Sequence, residues 1–113
     1  MFRRLTLVAA ASLMLAGTAM ADPIVGNWKT DSGATAQIAA AGGAFTITLR
    51  DGAHKGKRIG EMKPDGKGKY KGTITDPAND KTYSGNATIS GNKLAMQGCV
   101  AAIFCRTQNW QRK

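Results

Sequence analysis

Lys81-Thr82-Tyr83-Ser84-Gly85-Asn86-Ala87-Thr88-Ile89-Ser90 decides the fold. Successive side chains of an extended chain point to opposite faces. Tyr83, Gly85, Ala87 and Ile89 therefore share one face, and Thr82, Ser84, Asn86 and Thr88 share the other. This is the pattern of a half-buried β-strand. Ser90-Gly91-Asn92 is turn chemistry, and Lys93 to Gly98 repeats the alternation, with Leu94 and Met96 set against Lys93 and Gln97.

The same period runs outward in both directions. Tyr70, Gly72 and Ile74 oppose Lys71 and Thr73; Phe45, Ile47 and Leu49 oppose Thr46, Thr48 and Arg50. Turn residues punctuate the strands at Asp31-Ser32-Gly33, Gly42-Gly43, Asp51-Gly52, Asp65-Gly66 and Asp76-Pro77 with Asn79-Asp80. About eight strands result, near 25–30, 35–40, 44–50, 58–63, 69–75, 81–89, 93–99 and 105–112. The Ala-rich stretch from Thr35 to Ala41 is compatible with a helical turn, but its flanking glycines favour a strand. Many short strands with tight turns predict an all-β fold: a small up-and-down antiparallel β-barrel. Closure also removes sheet edges that so short a chain has little material to cover.

The first 21 residues read as an export leader. Arg3 and Arg4 form a basic start, Leu5 to Leu15 is apolar apart from Thr6 and Ser12, and Ala19-Met20-Ala21 is a small-x-small cleavage site. The apolar run falls short of the roughly 20 residues that span a bilayer. A single domain from Asp22 to Lys113 is expected after cleavage, with no transmembrane segment, in the periplasm or secreted from a bacterium.

Without Arg3 and Arg4, 14 basic residues face 7 acidic ones, a formal charge of +7. The excess clusters at Lys55, Lys57 and Arg58, then Lys63, Lys67, Lys69 and Lys71. Such a stretch suits an anionic lipid or glycan, or simply a solvated hairpin. Nucleic acid is not expected as a partner, because neither a recognition helix nor an aromatic RNA-binding run is visible.

Cys99 and Cys105 are the only cysteines. In an oxidising compartment a disulfide is the default, linking two antiparallel strands. A redox pair would have two intervening residues rather than five. With those sulfurs bridged, the chain offers no Cys–His nucleophile pair and no Cys/His metal set. His54 stands alone in a Gly- and Lys-rich loop. Ser32, Ser84 and Ser90 lack a nucleophile-elbow context, and Asp31, Asp51, Asp65, Asp76 and Asp80 all fall in turns. No catalytic residue, metal or cofactor is expected, and the reading is not an enzyme.

The expected barrel interior is Phe45, Ile47, Tyr70 and Ile74, with Tyr83, Leu94 and Met96. Gly26, Gly72, Gly85, Ala87 and Gly98 also face inward. These small residues leave room for a ligand, or let a flattened barrel collapse onto Trp28, Phe45, Tyr70, Tyr83 and Trp110.

Three segments carry a family resemblance. They are Asp22-Pro23-Ile24-Val25-Gly26-Asn27-Trp28-Lys29-Thr30, then Gly72-Thr73-Ile74-Thr75-Asp76-Pro77 with Lys81-Thr82-Tyr83-Ser84-Gly85, and finally Leu94-Ala95-Met96-Gln97-Gly98-Cys99 with Phe104-Cys105-Arg106-Thr107-Gln108-Asn109-Trp110-Gln111-Arg112. Together they resemble the exported bacterial proteins of domain of unknown function 2147 (DUF2147). The chain departs from that family in its short, basic Asp51–Lys69 segment, so a function lodged there is not carried over. The family is similar in architecture to lipocalins and other calycins. That likeness implies a structural signature of Gly26, Trp28, Trp110 and Arg112, with Trp28 across the closed end of the barrel and Arg112 over it.

The function expected is a non-catalytic binding protein for a small apolar or amphipathic ligand. The alternatives are a protein-interaction module, such as an inhibitor of an exported hydrolase, and an envelope protein that binds anionic lipid or glycan. Oligomeric state is left open by the sequence.

Overall fold

A computed structural model describes residues 22–101 and 103–113, so the expected leader lies outside the described residues. The described chain is all-β. Its strands are β1 (Gly26–Lys29), β2 (Thr35–Ala41), β3 (Ala44–Leu49), β4 (Arg58–Pro64), β5 (Lys69–Asp76), β6 (Lys81–Ser90), β7 (Lys93–Val100) and β8 (Phe104–Arg112). Each pairs antiparallel with the next, and β8 returns to β1, giving a closed up-and-down barrel. The Ala-rich segment is strand β2, paired with β3 from Ala36↔Leu49 to Ala41↔Ala44. Its two-residue turn, Gly42-Gly43, has φ of 56° and 83°. A pair of left-handed residues is the type I′ arrangement, whose twist matches that of the flanking strands.

The alternation read from the sequence sets the outer surface. Lys69, Lys71, Lys81, Thr82, Ser84, Asn86 and Thr88 face solvent from β5 and β6. A lipid-spanning barrel turns an apolar band outward instead. No helix among the described residues is long and apolar enough to cross a membrane.

One strand breaks the period. Between β3 and β4 the register shifts from Ile47↔Gly60 to Thr48↔Arg58, leaving Ile59 unopposed. This bulge buries Ile59 and Gly60 side by side, where a regular strand would bury one and expose the other.

The barrel is packed in its lower half and open in its upper half. The lower end holds the β2–β3, β4–β5 and β6–β7 turns and the chain entry at Asp22. Its core includes Ile24, Trp28, Ile38, Ile47, Met62 and Leu94, all fully buried. Phe45 and Tyr70 meet edge to face, with ring centroids 5.6 Å apart. The small inward residues differ in their surroundings with height. In the packed half, a Cβ on Gly72 would collide with the Glu61 carbonyl, and one on Gly85 would lie 2.7 Å from Met62 Cε. There the glycines admit neighbours, not a ligand. Gly98, higher up, lines open space.

Candidate functional site

The upper end is a cavity of about 1210 Å³ open to solvent. Its floor and walls are Leu49, Ile59, Ile74, Tyr83, Met96 and Trp110. Five strands supply all but one of these side chains because β3, β5, β6, β7 and β8 each continue their inward parity above the packed half. The bulge in β4 adds Ile59. Trp110 is buried and donates its indole N–H to Gln108 Oε1 at 2.9 Å, so the floor has a fixed polar edge.

Loops from every upper connection form the rim. Asp51 accepts the Thr35 N–H at 2.7 Å. That bond, with Lys113 and Lys55 nearby, lowers its pKa from 3.8. Asp76 accepts the Ala78 N–H at 2.9 Å in its own turn. Both rim acids are thus used in shaping loops. Lys57 reaches Asp80 at 2.5 Å and Pro77 O at 3.2 Å, tying the β3–β4 loop to the β5–β6 turn. Arg106 also lines the cavity and makes no ion pair among the described residues.

Ser32, Asp51 and His54, separate in sequence, all line this rim. No side-chain hydrogen bond joins His54 to either among the described residues, and Ser32 Oγ instead meets Thr30 Oγ1 at 3.1 Å. No group of three His, Cys, Asp or Glu residues that could hold a metal ion occurs among them.

Cys99 and Cys105 form a disulfide across the β7–β8 register, with Cα atoms 4.1 Å apart. The pair Val100↔Phe104 continues the ladder beyond it, so a hairpin rises above the rim. Ala101 turns this tip with φ of 54°, a conformation costly for a residue with a Cβ. Val100, Ile103 and Phe104 are the large apolar side chains exposed there, at 50%, 78% and 74%.

At the opposite end, Arg112 Cζ lies 4.3 Å from the Trp28 ring centroid. Arg112 also donates to Pro23 O at 2.6 Å and Val25 O at 3.4 Å. A Cβ on Gly26 would come 3.1 Å from the guanidinium, so the glycine makes space for it. Tyr70 donates to Asp22 Oδ1 at 2.6 Å. The first described residues are therefore drawn across the lower end.

The basic cluster is not one patch. Lys55, Lys57 and Arg58 sit at the upper rim, whereas Lys63, Lys67, Lys69 and Lys71 surround the lower β4–β5 turn. Four residues of β4, Ile59 to Met62, separate the groups by roughly 17 Å. Lys57 is paired with Asp80, and Lys71 with Asp65 at 3.7 Å.

The family model for an uncharacterized protein conserved in bacteria, DUF2147, matches residues 48–112, more than half of the chain. The chain belongs to the DUF2147 family. No curated protein and no solved structure matches it. The DUF2147 match begins at the end of β3 and takes in the cavity floor residues Ile59, Ile74, Met96 and Trp110, the disulfide and Arg112. Trp28, Arg112's stacking partner, lies outside it.

Among the expected interior residues, Phe45, Ile47, Tyr70 and Leu94 belong to the packed half. Ile74, Tyr83 and Met96 line the cavity of this DUF2147 protein. Sequence reasoning missed Ile59, Arg106 and Gln108. The last two were legible, sharing the parity of Trp110 and Arg112; Ile59 was masked by the bulge.

Proposed function

We propose that this protein is an exported, non-catalytic binding protein that takes a small apolar or amphipathic molecule into the upper half of its barrel. The observation that carries the reading is the cavity itself: an apolar floor of Leu49, Ile59, Ile74, Met96 and Trp110 beneath a polar rim, in about 1210 Å³. Small-molecule pockets typically enclose about 300–1,000 Å³, apolar with a few placed polar groups. Arg106, facing this space without an acidic partner among the described residues, suits an anionic head group.

Export is supported by the leader-like residues 1–21, by the disulfide, and by the bacterial family. Absence of catalysis is supported by the use of Asp51 and Asp76 as loop caps. A second reading, a module that binds a protein such as an exported hydrolase, is favoured by the exposed apolar tip at Val100, Ile103 and Phe104. The anionic-surface reading has less support, since the lysines divide between two ends.

Native mass spectrometry of the protein isolated from its host, with titration by the apolar dye anilinonaphthalene sulfonate, tests the first reading. A retained small molecule, or saturable dye fluorescence that Gln108→Trp weakens, supports it. A bare protein that leaves the dye dark would refute it.

A further inference from the structure

β8 is nine residues long, but its partner on the closing side, β1, has four. Their register holds two pairs, Trp28↔Arg112 and Lys29↔Gln111. Above Gln111, from Phe104 to Trp110, β7 is the only strand neighbour of β8 among the described residues. The β1–β2 turn does not take over. Its backbone bonds close on themselves, Thr30 N–H to Ala34 O and Gly33 N–H to Thr30 O, and the Thr30 hydroxyl also goes to Ala34 O. The barrel wall therefore has a slot between this turn and β8. The cavity reaches it: Thr30, Ser32 and Ala34 line one lip, Arg106, Gln108 and Trp110 the other.

The direction of the free backbone groups follows from the bonds flanking the slot. Arg112 N–H points to Asn92 O on the β7 side, and Lys113 N–H points to Asn27 O on the β1 side. Antiparallel strands alternate these directions residue by residue. Cys105, Thr107 and Asn109 thus aim their N–H and C=O groups into the slot. Phe104, Arg106 and Gln108 have the parity that faces the cavity, and all residues from Phe104 to Asn109 are exposed.

We infer that the Cys105–Asn109 edge of β8 docks an extended polypeptide segment, added as a strand in the slot, with alternate apolar side chains entering the cavity and an acidic one meeting Arg106. Strand addition takes its affinity from main-chain bonds and its specificity from pockets for alternate residues, and both elements lie side by side here. Charge selects the occupant. Arg106 is a cation beside the edge with no ion pair among the described residues, and the chain is basic overall. A second copy paired antiparallel through Thr107 would place the two Arg106 residues as diagonal neighbours on one face, which like charges disfavour. The Cys99–Cys105 disulfide holds β8 on β7 where no second strand among the described residues supports it. The backbone pairing stands apart from the small-molecule reading; only the side-chain pockets rest on the same cavity.

The test uses a blocked heptapeptide that alternates valine and threonine with one central glutamate, followed by amide exchange measured by NMR. At saturating peptide, exchange at Cys105, Thr107 and Asn109 is expected to slow by about tenfold or more, while Arg106 and Gln108, already bonded to β7, change little. N-methylating the peptide's alternate amides should weaken binding by at least about tenfold. Thr107→Pro removes one edge donor and no backbone bond to β7, giving up there only the exposed Gln97 Nε2 to Thr107 Oγ1 bond of 3.3 Å, so it should lose the peptide while still binding anilinonaphthalene sulfonate. Unchanged exchange at millimolar peptide, or equal binding of the N-methylated peptide, overturns the inference. So does concentration-dependent protection of these amides in the free protein, which would make the occupant a second copy. A dye-negative protein that still shows the peptide effects would sink the small-molecule reading alone.

Discussion

Arg112 caps Trp28: its Cζ stands 4.3 Å from the ring centroid while its N–H groups hold the carbonyls of Pro23 and Val25. One side chain thus joins the last strand, the first strand and the segment leading into it. The Trp28 N–H closes the arrangement by donating to Ile24 O at 3.0 Å. Trp28→Ala should cost about 3–5 kcal/mol as a large-to-small change in a filled core. Arg112→Met keeps much of the bulk and should cost about 1–2 kcal/mol, from lost cation–π attraction and charged hydrogen bonds. The double variant should lose less than the sum, because the residues share one contact. Urea unfolding of the four proteins measures all three, and strict additivity would deny the coupling.

The glycines predict opposite tolerances. Gly72 faces the backbone of β4, where the obstacle is the Glu61 carbonyl, which has no freedom to move aside. Gly72→Ala should destabilise by about 3 kcal/mol or more, or prevent folding, as severe overpacking does. Gly98 faces the end of the Ile74 side chain, 3.1 Å from an added Cβ, beside open space. Gly98→Ala should change stability by less than about 1 kcal/mol, since a rotamer shift relieves the contact. Thermal melts of the two variants decide. Equal losses would mean that the two heights of the barrel are not packed differently.

Tyr70 gives the lower end an alkaline limit. Burial first, then its hydrogen bond to Asp22 and that carboxylate's charge, push its pKa up to about 12 from 10.0. The folded state therefore holds this proton more tightly than the unfolded chain. Its stabilisation is complete below pH 10 and is lost as pH rises towards about 12. Ultraviolet titration should show one phenol ionising late, and Asp22→Asn should bring it earlier. Stability of Tyr70→Phe should fall less steeply over that alkaline window than that of the parent.

Much of this architecture is written in Tyr83, Gly85, Ala87 and Ile89, and in their counterparts on the other strands. Period-two burial plus turn residues fixes strand number, direction and inward face to within a residue. Three features needed long-range information. Ile59 entered the cavity because of a bulge, and a bulge is a property of two paired strands. The lysines of 55–71 looked contiguous because sequence distance hides the length of a strand. The slot beside β8 arises from the mismatch between nine-residue β8 and four-residue β1, which no local pattern reports. Arg106 and Gln108 were in plain view by parity, yet gained meaning only once the wall beside them proved open.

Asp51 sets the acid limit of the upper rim. It accepts the Thr35 N–H, and this bond is the main reason its pKa falls below 3.8. A carboxylate with a depressed folded pKa contributes stability above its unfolded pKa and loses it as pH falls through the folded value. Asp51→Asn should therefore be less stable than the parent at neutral pH. The difference should narrow below about pH 4 as the parent's carboxylate is protonated. Unfolding midpoints across the acid range would show this, and a constant gap between the proteins would rule out the carboxylate's charge as the cause.

The disulfide links stability to the slot. Cross-linking a loop as short as Cys99 to Cys105 contributes about 2 kcal/mol in the chain-entropy view. Its local effect should exceed its global one, because β8 above Gln111 leans on β7 alone among the described residues. In Cys99→Ser with Cys105→Ser, exchange at Arg106 and Gln108 should accelerate, since these residues bond to β7 where the staple was removed. Exchange at Leu94 and Trp110, paired and buried at the level of the cavity floor and below, should follow only the global change. Uniform acceleration across β7 and β8 would mean that the hairpin unfolds with the whole barrel, and that the edge needs no staple to stay extended.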